Sequence, residues 1–381
     1  MKNTFRTISG TAFALAILTA VPAFAQKKFQ FEFVKVADTT QGFSSFKTFP
    51  AINNHGEVTF VAVRDHYGEG AFRARAEGET VTTIASSLDG LTFFGDDVAI
   101  NNSGVVAFGA TTTATNSRAI FKGDGNFRTR IADSATDRLL RIGVGSPSIN
   151  ASGTVAFFAA RPDPGFPSNV FIGNGGPLTV IAGTSATGFA SFGNVAINDS
   201  GAVVIQGGKR DGSSDIFTIR GNVVTDLVNT NQHPEFFGFG DPVINNAGTI
   251  ADFAFLSSTT EIISANTRGI TARNDPNGSP ALANSEHPSI NNQGAVAFQA
   301  LPNSPGDGTL AGIFLEVSGG HSLIPVIAPG DPVFGSTVVK ATLGRFALND
   351  RFQMAFSYIL ADGRSGVAIA SFDGEAEGED N

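Results

Sequence analysis

Short apolar runs separated by turn residues recur along the chain in a fixed order. An apolar stretch ending in Ile or Leu precedes an asparagine, as Ala99-Ile100 precedes Asn101 and Ser148-Ile149 precedes Asn150. The asparagine opens an Asn-x-x-Gly phrase, and a second apolar run follows the glycine. The pairs are Asn53 with Gly56, Asn101 with Gly104, Asn150 with Gly153, Asn198 with Gly201, Asn245 with Gly248 and Asn291 with Gly294. A degenerate seventh copy has Asn349 but Phe352 in the glycine place. Successive asparagines are 48, 49, 48, 47, 46 and 58 residues apart.

Asparagine suits the first position of a type I turn, because its side chain accepts a backbone N–H two residues on, and glycine suits the left-handed position that follows. The runs on either side therefore predict two strands of a hairpin. A third strand is centred on Phe72, Phe121, Phe171, Phe217 and Phe314, and a fourth ends in Ile84-Ala85, Ile131-Ala132, Ile181-Ala182 and Ile327-Ala328. The second strand is apolar at successive positions, as a strand buried on both faces is. A period near 50 belongs to propeller blades, and the 3.6-residue apolar period of helical solenoids is absent. The pattern predicts an all-β fold, a seven-bladed β-propeller of four-stranded antiparallel blades.

Copy seven supplies three strands, near residues 343–348, 353–358 and 366–370, and no fourth. Residues 31–37 fit the fourth-strand pattern, with Val36-Ala37 in place of Ile-Ala. The N-terminal strand is thus predicted to complete the last blade and close the ring within one domain, residues 26–372.

This repeat resembles the one that names the bacterial exported tandem-repeat proteins with an NxxGxxAF repeat, over roughly residues 44–372. The resemblance implies export and, in many members, a varied C-terminal surface anchor. It implies no reaction. No C-terminal hydrophobic helix with a basic stop follows the repeats here, which favours a free exported protein.

Composition narrows the function further. With 34 acidic and 25 basic residues, a formal net charge of -9 and 41 % hydrophobic residues, the chain is neither a disordered polymer nor a typical nucleic-acid binder. The absence of cysteine removes disulfides, thiolate zinc sites and cysteine nucleophiles. Lys2 and Arg6 precede an apolar run over residues 11–22, and Ala23-Phe24-Ala25 fits a small-x-small cleavage site. Residues 1–25 therefore read as an export signal whose apolar run is too short for a transmembrane anchor. Cleavage would leave 23 basic against 34 acidic residues, a net charge of -11, in a periplasmic or extracellular protein. Asp373, Glu375, Glu377, Glu379 and Asp380 give residues 373–381 the composition of an acidic disordered tail.

The motif asparagines and glycines are expected to form turns rather than to ligate a cation. Four residues past each glycine position stand Phe60, Phe108, Phe157, Ile205, Asp252, Phe298 and Phe356, and Asp252 alone breaks the apolar series. A buried carboxylate is costly and sometimes catalytic. A one-residue bulge that gives Phe253 the core place and turns Asp252 outward would remove the conflict. The loops joining the second and third strands gather charge: Arg64, Asp65 and His66; Arg161 and Asp163; Lys209, Arg210 and Asp211; Asp307; Asp362 and Arg364. These loops lie on the face where propellers commonly hold ligands, so their charged residues and Asp252 are the candidate binding residues, against a plain reading as solvated loop charge.

Catalytic signals are thin. No metal-ligand spacing links any two of the five histidines, and no Gly-x-Ser-x-Gly elbow occurs. The absence of Trp and the presence of only Tyr67 and Tyr358 weaken a sugar-stacking platform, while the 35 phenylalanines read as core. The sequence predicts an exported monomer, independent of cofactors and metals, that serves as a binding or scaffold module for a protein or glycan. The rival is a hydrolase or lyase with a divalent cation in the channel mouth. That rival needs three charged loop residues, or Asp252, to converge on one point of the channel.

Overall fold

Each Asn-x-x-Gly phrase folds as a hairpin turn. The asparagine carbonyl accepts the N–H three residues on at 3.0–3.2 Å, and the asparagine N–H donates to the carbonyl four residues on at 3.0–3.1 Å. The six turn glycines have φ between +74° and +84°, the left-handed region that a side chain disfavours. Phe352, in the seventh turn, holds φ +57°, and its ring lies 6.3 Å from that of Phe372 on the strand that meets the N-terminus.

The computed structural model describes residues 29–375 except 48, 77–78, 144–146, 166, 185–187, 258, 274–284, 302–310 and 318–322. Seven antiparallel sheets follow one another along the chain. In blade one the inner strand is split into Phe43–Phe46 and Ala51–Ile52, and Val58–Arg64, Gly68–Ala74 and Thr82–Ser86 follow outward. The second strands of the next blades are Val106–Thr112, Val155–Ala160, Val203–Lys209, Ile250–Phe255, Val296–Ala300 and Gln353–Leu360. A feature absent from the sequence expectation is common to every blade: the inner strand slips register against the second. Phe46 faces Ala62 and Ala51 faces Thr59 in blade one, while Leu343 faces Phe356 and Leu348 faces Met354 in blade seven. Where the surplus residues are described, as residues 344–347 in blade seven, they form a bulge in the inner strand.

Burial on both faces explains the unbroken apolar second strands. Seven apolar clusters fill the seven spaces between neighbouring blades, and each draws side chains from two of them. Phe60 faces Phe72, Phe108 faces Phe121, Phe157 faces Phe171 and Phe298 faces Phe314 across their ladders, with ring centroids 5.5–6.0 Å apart.

The ring closes as the sequence predicts. Phe29–Asp38 is the outer strand of blade seven, antiparallel to Ser365–Glu375, with Phe31 opposite Phe372, Val34 opposite Ile369 and Ala37 opposite Val367. Val36 and Ala37 are buried in the space between blades seven and one. The strand runs to Glu375 and so takes in the first three residues, 373–375, of the expected acidic tail. The segments read as an export signal and the rest of the tail lie outside the described residues.

Candidate functional site

Alternating strand direction gives the disc two ends. The Asn-x-x-Gly turns lie at one end, and the loops joining second and third strands lie at the other. At the turn end the motif asparagines do more than shape hairpins. All seven are buried, and each side-chain amide donates to the backbone carbonyl of the motif asparagine in the next blade. The chain of bonds runs from Asn53 to Asn101, Asn150, Asn198, Asn245, Asn291 and Asn349 and returns to Asn53, at 2.9–3.3 Å. Their Oδ1 atoms accept backbone N–H groups of their own turns, as Asn198 accepts that of Ala202 at 2.9 Å. Both ends of every amide are occupied, so the ring serves as an inter-blade clasp and not as a cation site.

A second ring lies outside the first. The residue after each motif asparagine offers Oδ1 to the backbone N–H of its counterpart in the preceding blade: Asn102 to Asn54, Asp199 to Ala151, Asn246 to Asp199, Asn292 to Asn246, Asp350 to Asn292 and Asn54 to Asp350, at 2.7–2.9 Å. One link is missing because blade three carries Ala151. Ala151→Asn supplies that acceptor for the Asn102 N–H and is expected to stabilise the protein by about 0.5–1 kcal/mol, since an exposed bond contributes less than the usual ~1 kcal/mol. A urea titration reads the gain, and an unchanged or lower midpoint contradicts the assignment. The two rings and the isoleucines behind them line a central cavity of ≈ 150 Å³.

Behind this mouth the channel is obstructed. The bulge of blade seven carries Arg345 and Phe346 inward. Phe346 packs against the clusters between blades one and two, two and three, four and five, and five and six. The buried Arg345 guanidinium lies 5.3 Å from the Phe346 ring and donates to the carbonyls of Pro242 (2.7 Å) and Val195 (3.4 Å) at the seam of blades four and five. Asp252 stands at the same seam with no exposed surface. The expected bulge that would turn it outward is not there: Ile250–Phe255 pairs with Thr260–Asn266 without a slip, and Asp252 faces Ile263. The slip is in the inner strand instead, where Gly240, Asp241 and Pro242 intervene between the residues paired to Ala254 and Ala251. Phe253 takes the space over Gly240, where a Cβ would lie 2.1 Å from its ring.

Burial, reinforced by Asp241, pushes the Asp252 carboxyl well above its ordinary 3.8. Burial also holds the nearby His287 imidazole below its usual value, and Arg345 adds to this. A carboxyl with a raised folded-state pKa contributes stability that is complete below 3.8 and is lost as pH rises through the folded value. The stability of wild type relative to Asp252→Asn should therefore fall as pH rises above 3.8. Urea midpoints of both proteins across pH read this, and a constant difference contradicts it.

The charged loop candidates do not converge. Arg64 lies over the rings of Phe43 and Tyr67, both at 5.2 Å; the Asp65 N–H donates to the Gly42 carbonyl; His66 is exposed with φ +65°. Asp163 and Arg210 are exposed. Asp211 accepts the Ser213 hydroxyl and N–H, which hold its carboxyl below the usual range. Asp362 accepts two bonds from Arg364 at 2.7 and 2.9 Å. Asp211 and Asp362 are bonded within their own loops, whereas Arg64 and Asp65 hold their loop to Gly42 and Phe43 at the start of the inner strand. Asp307 lies outside the described residues, and among the described residues no three His, Cys, Asp or Glu side chains gather as a metal site requires.

The sequence profile of a family of unknown function (DUF7453) matches residues 34–278. The chain belongs to that family. No curated protein matches it. Solved structures similar to this DUF7453 member share the fold alone. They include a prolyl endopeptidase (TM-score 0.51, 10 % identity, 86 % of this chain and 47 % of that one) and TolB from Acinetobacter baumannii (0.45, 15 %, 74 % and 63 %). YCF48 from Cyanidioschyzon merolae gives 0.47 at 11 % identity, over 89 % of this chain and 99 % of that one.

Sequence reasoning missed the channel lining of this DUF7453 member because it followed the residues after each asparagine. Four residues before the asparagines stand Phe49, Asp97, Asn194, Asp241, His287 and Arg345, and in the third copy Ser146, which lies outside the described residues; the series is mostly polar. That offset marks the inner-strand bulge. Among the described residues no helix is long and apolar enough to cross a membrane.

Proposed function

We propose that the chain is an exported scaffold that docks a protein partner on the loop end of the disc. The observation that carries this is the distribution of exposed apolar side chains. Of thirteen large ones among the described residues, nine stand at that end: Val63 and Tyr67 on blade one, Leu88 and Phe93 between blades one and two, Leu140 before blade three, Phe237 and Phe255 on blade five, and Val339 and Ile359 on blade seven. Leu88, Phe93 and Phe237 are 73 %, 72 % and 70 % exposed. Clustered exposed apolar residues rimmed by charge are the usual signature of a protein-binding surface. Backbone strain collects there too. His66, Phe93, Asn116, Arg138 and Phe334 hold positive φ without being glycine, and at Phe93 the strained backbone presents an aromatic ring to solvent.

The N-terminal pattern of Lys2, Arg6, an apolar run and Ala23-Phe24-Ala25 supports export, as does the likeness of the repeat to exported NxxGxxAF proteins. Photocrosslinking amino acids placed singly at Phe93, Phe237 and Val223 in the producing cell test the reading. Adducts of one discrete mass at the two loop-end positions, absent at Val223 on the opposite end, are expected. No adduct, or the same adducts at all three positions, contradicts it.

A further inference from the structure

Two clefts of ≈ 350 and ≈ 470 Å³ open beside the turn of blade five, within the ~300–1,000 Å³ typical of small-molecule sites. A comparison of the blades explains why they occur there. The third-strand residue opposite the position six past each motif asparagine is Arg73, Lys122, Ile172, Thr218, Ser264, Leu315 and Ile369 in blade order. In blade one Arg73 crosses to the next blade and donates to the carbonyl of its turn glycine, Gly104. In blade two Lys122 does the same to Gly153, at 2.8 Å. Blades three, six and seven carry a bulky aliphatic side chain at that place. Blades four and five carry only Thr218 and Ser264, and these two line the clefts, with Gly248 and Gly294 on the opposite walls. Among the described residues neither glycine carbonyl accepts a hydrogen bond.

We propose that the paired clefts bind a neutral oligosaccharide that straddles the blade-five turn, its hydroxyls replacing the donors that Arg73 and Lys122 supply elsewhere. Both clefts reach Ala247, so one extended ligand spans them. The walls carry polar groups suited to sugar hydroxyls: Arg220, which only donates, with Ser200, Thr225 and Asn246 in one, and Asn266 and Gln293 in the other. Ser200, Asn246, Asn266 and Gln293 also hold protein partners, so a sugar uses their remaining capacity. The shortage of Trp and Tyr removes aromatic stacking, and the apolar face of a sugar ring meets Val223 in one cleft and Ile270 in the other. A cationic occupant is disfavoured by Arg220 in one cleft and by Arg268 in the other, where Arg273 is already paired with Glu316 and donates to the Ser264 hydroxyl, both at 2.7 Å. A polyanion is disfavoured by the net charge of -9.

Calorimetric titration of the full chain with maltohexaose, cellohexaose and chitohexaose tests the site. At least one is expected to bind at millimolar concentration or tighter, and Thr218→Arg, which places a guanidinium where Arg73 stands in blade one, is expected to weaken it about tenfold or more. Ser264→Leu, patterned on Leu315, should weaken it in the same way. Thr218→Arg is expected to keep the thermal midpoint of wild type, so loss of binding is separable from loss of fold. Failure of all three sugars to bind, or binding unchanged by both substitutions, overturns the proposal. So does hexaarginine binding that Thr218→Arg abolishes, since it would assign the clefts to a basic peptide.

Discussion

A chain lacking residues 26–38 is expected not to hold the propeller at room temperature. The deletion removes the outer strand of blade seven, exposes the ladder edge of Ser365–Glu375 and uncovers the spaces on both sides of that blade. Phe31 and Phe33 pack against the cluster between blades six and seven, and Val36 and Ala37 belong to the one between seven and one. At ~1.5–3 kcal/mol for each large side chain, with the unpaired edge added, the loss is on the order of 5–10 kcal/mol, comparable with the ~5–15 kcal/mol net stability of a typical protein. Circular dichroism during a thermal ramp reads the outcome. A truncated chain that melts within a degree or two of full length contradicts closure by this strand.

The second large effect is expected from the asparagine clasp. Asn198 is 5 % exposed; its amide donates to the Asn245 carbonyl at 3.0 Å, and its Oδ1 accepts the Ser200 hydroxyl and the Ala202 N–H. Asn198→Ala leaves the buried Asn245 carbonyl and the Ala202 N–H unpaired, while the exposed Ser200 hydroxyl turns to water, and at ~1–3 kcal/mol for each buried unpaired group the cost is about 3 kcal/mol. Asn198→Asp keeps the acceptor but sets a carboxylate against the Asn245 carbonyl, so it should also destabilise, and more so at neutral than at acid pH. Equilibrium unfolding of both variants checks this. Asn198→Ala with wild-type stability would reduce the motif asparagine to a turn former, as the sequence alone suggested.

How far the sequence discloses this molecule depends on where the repeat constrains chemistry. The blades, their number and the closing strand follow from period and apolar pattern, because each inter-blade space selects the same residue types seven times. Asn53 and its counterparts are legible as turn residues, but the reach of each amide to the next blade depends on a packing angle that no local pattern encodes. Asp252 stands out in sequence as one acid among phenylalanines. Its burial was not legible, because the compensating slip lies in the inner strand at Gly240–Pro242, ten residues away along the chain. The charged loops drew attention because loops carry function, yet Asp211 and Asp362 are spent on their own turns. Thr218 and Ser264 are unremarkable singly and become informative only beside Arg73 and Lys122.

The central claim is a ring without a weak seam, in which the strand from the N-terminus is as firmly held as any inner strand. Hydrogen exchange followed by mass spectrometry on the folded chain measures this directly. The amides of residues 31–37 that donate to the Ser365–Glu375 ladder, and those of residues 367–372, are expected to exchange together and as slowly as those of the second strands in blades one and two, because they open only when the whole ring does. Early exchange of those ladder-bonded amides of residues 31–37, with the rest of the ring still protected, would contradict it.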